Sequence, residues 1–512
     1  MDGAGAPLPI FQVAQNIAAL ETSLKAAYPF NLSAPNGAYV GSLLNAGLNL
    51  PLGLLAPNYR TPRAVQMNVG VQQELRHGTV LSLDVVRNVE THGLLGIDAN
   101  DVGDPSHFSL SSAQQAIQNT ITACGATSLQ GAITSCPGLN NGQANIGATI
   151  SNFTAFGLGS AEDTGSSCMD APNPLTRGAT RLGYQCAFSG KNGNYGTAEF
   201  LEPISRSVYT ALEMKLVQNV TNPVRWVKAA NFQLSYALSR FVNPLAFAGN
   251  APSSNPVGAN DQDFVLQAAD NNDPLRYMGP SLLDRTHQVS FGGNFDMPFG
   301  FRLGIIGHFY SPLSSPAIVG SNGSGGQIFQ TDFTGGGVYS QPLPGTKNGS
   351  FGHEVSVTSM NRAISKYNTS DAGLPTPAGE ALITNNLFTA AQLAQIGAVA
   401  PRVSPVPIDQ LLSPWTKDLD FKVAWSHKFR ERFSIEPSVA FYNVFNFSNF
   451  NQPPGVMSPW LTSGANSINS THTIRQAGES SIESDLFRVG AGTGVFGLAS
   501  PRVAEFALKV TF

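Results

Sequence analysis

The sequence contains no uninterrupted apolar run long enough for a membrane-crossing helix, which needs about 20 residues. Charged residues make up only 12% of the chain and hydrophobic residues 42%, a balance that excludes intrinsic disorder. The formal net charge of −4 argues against a nucleic-acid partner. The first residues, Met1-Asp2-Gly3, lack the basic and apolar regions of a secretory signal peptide. If the protein is exported, we therefore expect the chain to be the back part of a longer precursor.

Cysteine is scarce, and its four copies, Cys124, Cys136, Cys168 and Cys186, fall within one Gly/Ser/Asn-rich stretch. Their spacing is not the paired CxxC pattern of a zinc site. An even number confined to one long segment indicates two disulfides that close a loop in an oxidising compartment. Local pairing as Cys124–Cys136 and Cys168–Cys186 is favoured, although sequence cannot fix connectivity. The alternative is four free thiols.

The chain ends on a short alternating segment, in which Phe506, Leu508, Val510 and Phe512 are separated by Ala507, Lys509 and Thr511. Such alternation puts the two sets of side chains on opposite faces of a strand. A strand of a transmembrane β-barrel has lipid on one face and a wet lumen on the other. An edge strand of a soluble sheet is the alternative. The ending also resembles the signal by which outer-membrane proteins are recognised for assembly, which implies the barrel-assembly machinery as a partner.

Eight further segments alternate in the same way, and most approach the ~9–11 residues of a tilted membrane strand. They lie at 63–75, 79–89, 207–218, 226–240, 285–296, 300–311, 417–428 and 432–446. Short connections at 76–78, 219–225, 297–299 and 429–431 alternate with long ones near 90–206, 241–284, 312–416 and 447–501. Outer-membrane barrels have this pattern of short periplasmic turns and long extracellular loops.

The sequence therefore predicts an all-β fold, an antiparallel transmembrane β-barrel in the outer membrane of a Gram-negative bacterium, with outer-membrane lipid as its surroundings. Residues 63–512 form the barrel region, and residues 1–62 are the remnant of an extracellular loop with a helical segment at 10–27. A second helical patch, at 388–396, is expected to pack on the barrel rim. Nine strands is an odd number, so we expect the chain to be part of a larger barrel.

The charged side chains of the predicted strands lie opposite the aliphatic stripe and are expected to face the lumen. They are Asp84, Glu213, Lys215, Arg302, Asp420, Lys422, Glu436 and Lys509. On the lipid face a Lys or Arg would cost about 2–4 kcal/mol. The lumen wall could contact a plug or a solute, but the sequence identifies no ligand-binding residue.

Several segments, taken in this order, resemble the C-terminal half of Oar-like TonB-dependent outer-membrane receptors. They are YRTP leading into VQMNVGVQQEL, GTVLSLDVVRN, YTALEMKLVQ, FQLSYALSR, DRTH before VSFGGNFDMPFG, AFYNVFNFSNFNQP, and FG before SPRVAEFALKVTF. The resemblance covers most strands and little of the loops. It implies a 22-stranded barrel, a plug inside it, and uptake of a large nutrient (carbohydrate, peptide or chelate) powered by the TonB complex. No segment of the chain resembles the plug or a TonB-binding box.

Signals of enzymatic or metal chemistry are weak. Gly492-Thr493-Gly494-Val495-Phe496-Gly497 matches GxGxxG, but no buried strand precedes it and no helix follows. His353-Glu354 lacks the second His of a HExxH zinc site. The acidic, amide-rich stretch 260–273 could offer oxygen ligands to Ca²⁺, although a solvated loop is favoured because the spacing of an EF-hand is missing. We expect no enzyme, no cofactor and no metal.

Two other functions remain open at this stage. A non-transporting adhesion or binding protein needs no plug and would use its long, disulfide-closed loops as a surface. A passive porin-like pore is disfavoured because nine strands do not close. Solute flux through liposomes without any energy source would favour the pore.

The C-terminal alternation leads to a first prediction. Changing Phe512 to Asp should block insertion into the outer membrane, because the terminal aromatic anchors the last strand at the interface and forms part of the assembly signal. Membrane fractions of cells expressing the variant are compared with the wild type by immunoblot. Normal membrane levels of the Phe512→Asp protein would contradict the barrel interpretation.

Overall fold

The computed structural model describes residues 54–511, apart from gaps at 165–167, 177, 179, 248–266, 282, 315, 322–324, 351–356, 404, 406–414, 430–432, 448, 450–455 and 458–500. The predicted helix at 10–27, the GxGxxG motif, His353-Glu354 and Phe512 lie outside the described residues. Within the described part, no helix is both long enough and apolar enough to cross a membrane.

Nine long strands form one antiparallel sheet in which each strand pairs with its neighbours in the chain. We label them β1 (Arg63–Arg76), β2 (Thr79–Asp98), β3 (Glu199–Val224), β4 (Val227–Asn243), β5 (His287–Asp296), β6 (Phe301–Tyr310), β7 (Thr416–Trp425), β8 (Phe433–Tyr442) and β9 (Val503–Thr511). Each strand overlaps one of the nine predicted segments. Among the described residues, β1 pairs only with β2 and β9 only with β8, so the sheet is open.

Short elements complete the sheet and its connections. Two-residue strands lie at Leu54–Leu55, Ala246–Phe247, Gln267–Ala268, Gly279–Pro280, Ile318–Val319 and Val456–Met457, and His427–Phe429 pairs with β8. Short turns join β1 to β2, β3 to β4, β5 to β6 and β7 to β8, and we call this the turn end of the sheet. The opposite, loop end carries the long connections.

The strands β2 and β3 run well past their predicted ends at residue 89 and before residue 207. Their pairing continues from Glu90↔Ser207 to Asp98↔Glu199 through two irregularities in register near Gly93. His92 adopts a positive φ of 60° at this point. A β-bulge inserts an unpaired residue and breaks the period of two. The alternation on which the prediction relied therefore ends at the bulge, although both strands continue beyond it.

The long connections contain helices. These are α1 (Leu110–Cys124), α2 (Leu129–Thr134), α3 (Ile150–Ala155), α4 (Val357–Ser370), α5 (Pro377–Thr384) and α6 (Ala390–Ile396), with single turns at Ala161–Thr164 and Ile328–Thr331. Short 3₁₀ turns lie at Pro105–His107, Cys168–Asp170, Pro174–Thr176 and Pro298–Gly300. Local sequence sets the helix ends: the Ser109 hydroxyl accepts the N–H of Ser112 at the start of α1, and Gly125 ends α1 in the left-handed conformation at φ 71°.

The first and third long connections fold together around one hydrophobic core. Buried side chains from residues 113–188 and from residues 328–398 belong to the same cluster, and we call this unit the loop domain. Phe153 meets Phe388 edge to face at 5.4 Å, and Phe188 meets Phe329 at 5.5 Å. The prediction that the helix near 388–396 packs on the barrel rim was therefore wrong in its partner, because α6 packs on the first connection.

Two disulfides lie within the loop domain, Cys124–Cys136 and Cys168–Cys186. They join residues 12 and 18 positions apart, which is the local pairing favoured by their spacing. All four cysteines are buried. The first disulfide ties the end of α1 to the segment after α2 within the shared core. The second belongs to a small separate cluster with Val102 and Ala161.

Polar contacts fasten the loop domain to the loop end of the sheet. Asp98, at the end of β2, accepts the N–H groups of Asn100, Val102 and Ala198 at 2.7–2.9 Å. The second long connection joins there too, because the Asn271 side chain accepts the Asp98 N–H at 3.1 Å. The carboxylate of Asp98 thus closes the turn between the sheet and the loop domain, and the first and second connections meet at this residue.

A second buried carboxylate organises the third connection. Asp332 is only 1% exposed, and it accepts N–H groups of Gly335 at 2.8 Å and Gly337 at 2.9 Å. The Gln341 side-chain amide also donates to it, at 3.2 Å. Burial raises the pKa of Asp332 to about 7, against the opposing effect of the backbone donors.

Reduction of the disulfides should loosen the loop domain and leave the sheet intact. In the chain-entropy model a closed loop of about 15 residues contributes ~3 kcal/mol, whereas the strands are held by their own hydrogen-bond ladders. Without reductant the cysteines should not react with a thiol label. With reductant, limited proteolysis should cut between residues 99 and 198 while the heat-resistant barrel band on gels survives. Four reactive thiols in the native protein would contradict the assignment to an oxidising compartment.

The loop domain should also lose stability as the pH rises from 5 to 8. The folded pKa of Asp332 lies above its ordinary value, so its contribution is fully present below pH ~4 and is lost as the pH passes about 7. Amide hydrogen-exchange protection factors of α5 and α6, corrected for intrinsic rates, measure this change. Asp332→Asn should flatten the pH dependence, and the exposed Glu380→Gln should not. Equal slopes in all three proteins would contradict the role of Asp332.

Candidate functional site on the polar face of the sheet

The strand register separates the side chains of the sheet into two faces. Val85, Leu212 and Leu238 stand opposite one another on β2, β3 and β4, and all three are exposed. The next residues along, Asp84 and Glu213, stand together on the other side. The alternation continues through every long strand to β9. We call the two sides the apolar face and the polar face.

All eight charged residues predicted to face the lumen lie on the polar face. Asp84 is paired with Glu213, and Lys215 stands between Ser82 and Ser235. On the other half of the sheet, Glu436 is directly opposite Lys509. Arg302, Asp420 and Lys422 occupy the corresponding positions of β6 and β7. The face carries both signs of charge, so it suits a hydrated surface better than hydrocarbon.

The turn end of the polar face contains a cavity of about 730 Å³, lined by His77, Asn219, Val220, Thr221, Ala229, Ala230, Asn231, Asn294, Asp296 and Arg302. The Arg302 Nε donates to the Asp296 carboxylate at 2.9 Å. The Asn231 side-chain amide donates to the Asn219 side-chain oxygen across β3 and β4. Both members of the ion pair are about half exposed, so their remaining donors and acceptors are available to another surface.

A second polar cluster lies nearer the loop end of the same face. The Ser290 hydroxyl is 3.0 Å from His308 Nδ1 and 3.1 Å from the Tyr310 hydroxyl, and the latter two atoms are also 3.0 Å apart. His308 stands opposite the buried Asp418 of β7. The Arg285 guanidinium lies 5.6 Å from the centre of the Tyr310 ring. The hydrogen bonds of this cluster link β5 to β6 on the polar side of the sheet, and Asp418 of β7 stands beside them.

The alternation of the predicted segments 285–296 and 300–311 puts Ser290 and His308 on the polar side, but alternation alone does not bring them together. The hydrogen bond between them depends on which residues of β5 and β6 stand opposite each other, here Ser290 and His308. The turn predicted at 297–299 would have paired Asp296 with Gly300 and therefore Ser290 with Ile306, two residues away from the observed register. The hydrogen bonds of Tyr310 follow from the same pairing.

The acidic stretch 260–273 was favoured as a solvated loop, and its described part is solvated only at its end, where Asn272 and Asp273 are exposed, whereas residues 267–270 are buried. Asp270 is 1% exposed, and its carboxylate accepts the Arg276 Nε at 2.5 Å and the Asn272 N–H at 2.9 Å. These oxygens are therefore engaged within the protein. In the part of the chain that the structure describes, no group of three His, Cys, Asp or Glu side chains is arranged to hold a metal ion.

The residues proposed as the assembly signal lie on the apolar face of β9. Phe506 is 81% exposed opposite Val439, and Leu508 is 67% exposed opposite Pro437. Val510 stands opposite Ile435 at the turn end. Exposed apolar side chains in such numbers require an apolar environment. Their role in assembly stays a prediction.

The comparison with known protein families agrees with this geometry. A family model described as the outer membrane beta barrel domain matches residues 4–477. No curated protein matches the sequence. Among solved structures, the outer membrane transporter YddB from Escherichia coli is similar at a TM-score of 0.36 and 7% identity, with 90% of this chain and 34% of that chain covered. The chain thus spans about a third of the length of that structure. On the strength of the family match, the chain belongs to the outer membrane beta barrel domain family and is a protein of the outer membrane.

Proposed function

We propose that the chain supplies barrel strands and extracellular loops of a TonB-dependent receptor that imports a large nutrient, such as a carbohydrate, a peptide or a chelate. Its proposed partners are a plug within the barrel, the TonB complex, the barrel-assembly machinery and the lipid of the outer membrane. The proposal includes no enzymatic activity and no nucleic-acid partner. The family assignment gives an outer-membrane barrel. The proposal adds the transport mechanism, which the resemblance to Oar-like receptors implies.

The observation that carries the proposal is that the sheet is open and that one of its faces is polar and charged. Unpaired edges are not tolerated in hydrocarbon, because every backbone N–H and C=O there needs a partner. The edges of β1 and β9 therefore suit a barrel with more strands than the nine described. A barrel of 22 strands, the number that the resemblance implies, has a lumen that is filled by a plug. The polar face offers such a plug both signs of charge.

The cavity at the turn end supports a contact with the plug. In outer-membrane barrels the short turns face the periplasm, so the cavity would open towards the side where TonB acts. Its polar lining includes the half-exposed Arg302–Asp296 pair and three asparagine side chains, Asn219, Asn231 and Asn294. Groups of this kind hold a removable domain by hydrogen bonds that water can replace. The loop domain, at the other end, would meet the nutrient first.

The adhesion alternative is favoured by one observation, the size and independent core of the loop domain. A binding protein that does not transport would need that surface and would not need energy. The porin-like pore would need neither a plug nor energy. Energy dependence therefore separates the three functions.

We expect uptake by the intact receptor in cells to require the TonB complex. Cells with and without the gene are given a mixture of oligosaccharides, peptides and iron chelates, and depletion of each compound from the medium is measured by mass spectrometry. Compounds depleted only when the gene is present should stop being depleted when TonB is deleted or the proton-motive force is collapsed. Depletion that persists without TonB would contradict the proposal. Swelling of liposomes in raffinose would favour the pore.

Arg302→Gln should lower that energised uptake about two- to fivefold at unchanged membrane level. It removes a half-exposed ion pair, for which ~0.5–1 kcal/mol is typical, together with a donor for the plug. Arg225→Gln, in the turn between β3 and β4, is the matched control and should transport normally. Equal uptake by both variants would show that the cavity takes no part in transport.

A further inference from the structure

Not all charged strand residues face the lumen as expected: between the short turns and the bulges near Gly93, the apolar face of the described sheet carries five charged residues, and all five are basic. They are Arg63, Arg87, Arg206, Arg240 and Lys417. Each is exposed, and each stands among the outward-facing apolar positions of its strand. Between them and the short turns, the paired outward positions of the nine described strands contain no Asp, Glu, Lys or Arg. We call the five residues the basic belt.

The register groups four of the five into two rows. Thr91 of β2 is opposite both Arg63 of β1 and Arg206 of β3. Thr210 of β3 is opposite both Arg87 of β2 and Arg240 of β4. With neighbouring strands ~4.8 Å apart, the two guanidinium stems of a row start about 10 Å apart with a threonine hydroxyl between them. Each row can therefore approach one anionic group from two sides.

No carboxylate neutralises the belt in the described part of the chain. The ion pairs there involve His77, His107, Lys191, Arg276 and Arg302, and no member of the belt. Glu202 of β3 lies further towards the loop domain, beyond the bulges near Gly93. The charge of the belt is therefore open to a partner outside the protein.

An aromatic stack marks the depth of the belt in the membrane. On the apolar face, the rings of Tyr236 and His287 stack at 6.1 Å, and those of His287 and Trp415 also at 6.1 Å. Aromatic girdles of barrels lie at the boundary between hydrocarbon and head groups. Arg240 is the next outward residue of β4 after Leu238, which is opposite His287. The four arginines of the belt thus lie on the loop side of this boundary, and Lys417 lies in the register row of Tyr236.

Position and charge together identify the partner. An unpaired Arg or Lys costs about 2–4 kcal/mol at the midplane and ~0–1 kcal/mol near the interface, and its long stem can lie along the apolar surface. Towards the short turns the paired outward positions hold no such cation, and Lys228 follows at the very start of β4. The concentration of cations on the other side matches a leaflet with anionic head groups on the extracellular side. Guanidinium groups bind phosphate through two parallel hydrogen bonds.

We propose that the basic belt binds the phosphate groups of the phosphorylated glycolipid of the outer leaflet, lipopolysaccharide. Each of the two rows, Arg63 with Arg206 and Arg87 with Arg240, holds one phosphate. Lys417 adds charge from β7. The lipid then forms a fixed ring of acyl chains against the apolar face, independently of whether the barrel transports a nutrient.

The test uses the full natural chain, purified in detergent, with lipid A as the probe. Binding is measured by native mass spectrometry at two salt concentrations. Diphosphoryl lipid A should bind more tightly than its dephosphorylated form, and its affinity should fall as salt rises. The double variant Arg87→Gln/Arg240→Gln should bind at least about fivefold more weakly. Lys428→Gln with Arg76→Gln, cations at the turn end, is the control and should bind like the wild type.

The result that would overturn the proposal is equal binding of lipid A with and without its phosphates, or unchanged binding after all four arginines are replaced by glutamine. Equal binding of phosphatidylglycerol would show a general anionic-lipid surface and would also overturn it. If the glutamine variants fail to fold, Arg87→Lys/Arg240→Lys keeps the charge and removes the two-point geometry. That variant should fold and bind lipid A more weakly than the wild type, and full binding would contradict phosphate recognition by the rows.

Discussion

The need of every backbone N–H and C=O for a partner in hydrocarbon determines the rest of this structure. The sheet meets it by pairing nine strands in chain order from Arg63–Arg76 to Val503–Thr511 without a crossover. Because neighbours in sequence are neighbours in space, short turns suffice at one end and all long insertions collect at the other. The charge distribution follows from the same ladder, since alternation along each paired strand gives one face to lipid and the other to water.

The two faces were predictable because a period of two needs only local sequence. The segment around Asp84, with Leu83 and Val85 beside it, gives the correct side of the sheet without any knowledge of its neighbours. The same holds for Lys422 and Glu436. Local sequence does not give the strand register, that is, which residues of neighbouring strands stand opposite each other. The cluster of Ser290, His308 and Tyr310 exists only through the register of β5 and β6, and it was therefore not anticipated.

The shared core of the loop domain was not predicted from the sequence, for a similar reason. Gly- and Ser-rich connections with short helices look irregular when each is considered alone, because no single one contains a complete core. Phe153 and Phe388 contribute to one core although two strand hairpins lie between them in the chain. The helix at 390–396 was visible in the sequence, but its packing partner was not. Burial of Asp98 and Asp270 likewise depends on connections that are remote in sequence.

The shared core of the first and third connections has a mechanical consequence. The first connection rises from β2 and β3, and the third rises from β6 and β7, so the core joins two places that are several strands apart along the sheet. A rigid body attached to a flexible sheet at two points fixes the distance between these points and so limits the bending of the sheet between them. The curvature of this arc is thus set from outside the membrane by the packing of Phe153, Phe188, Phe329 and Phe388, and a looser core would let the arc flatten.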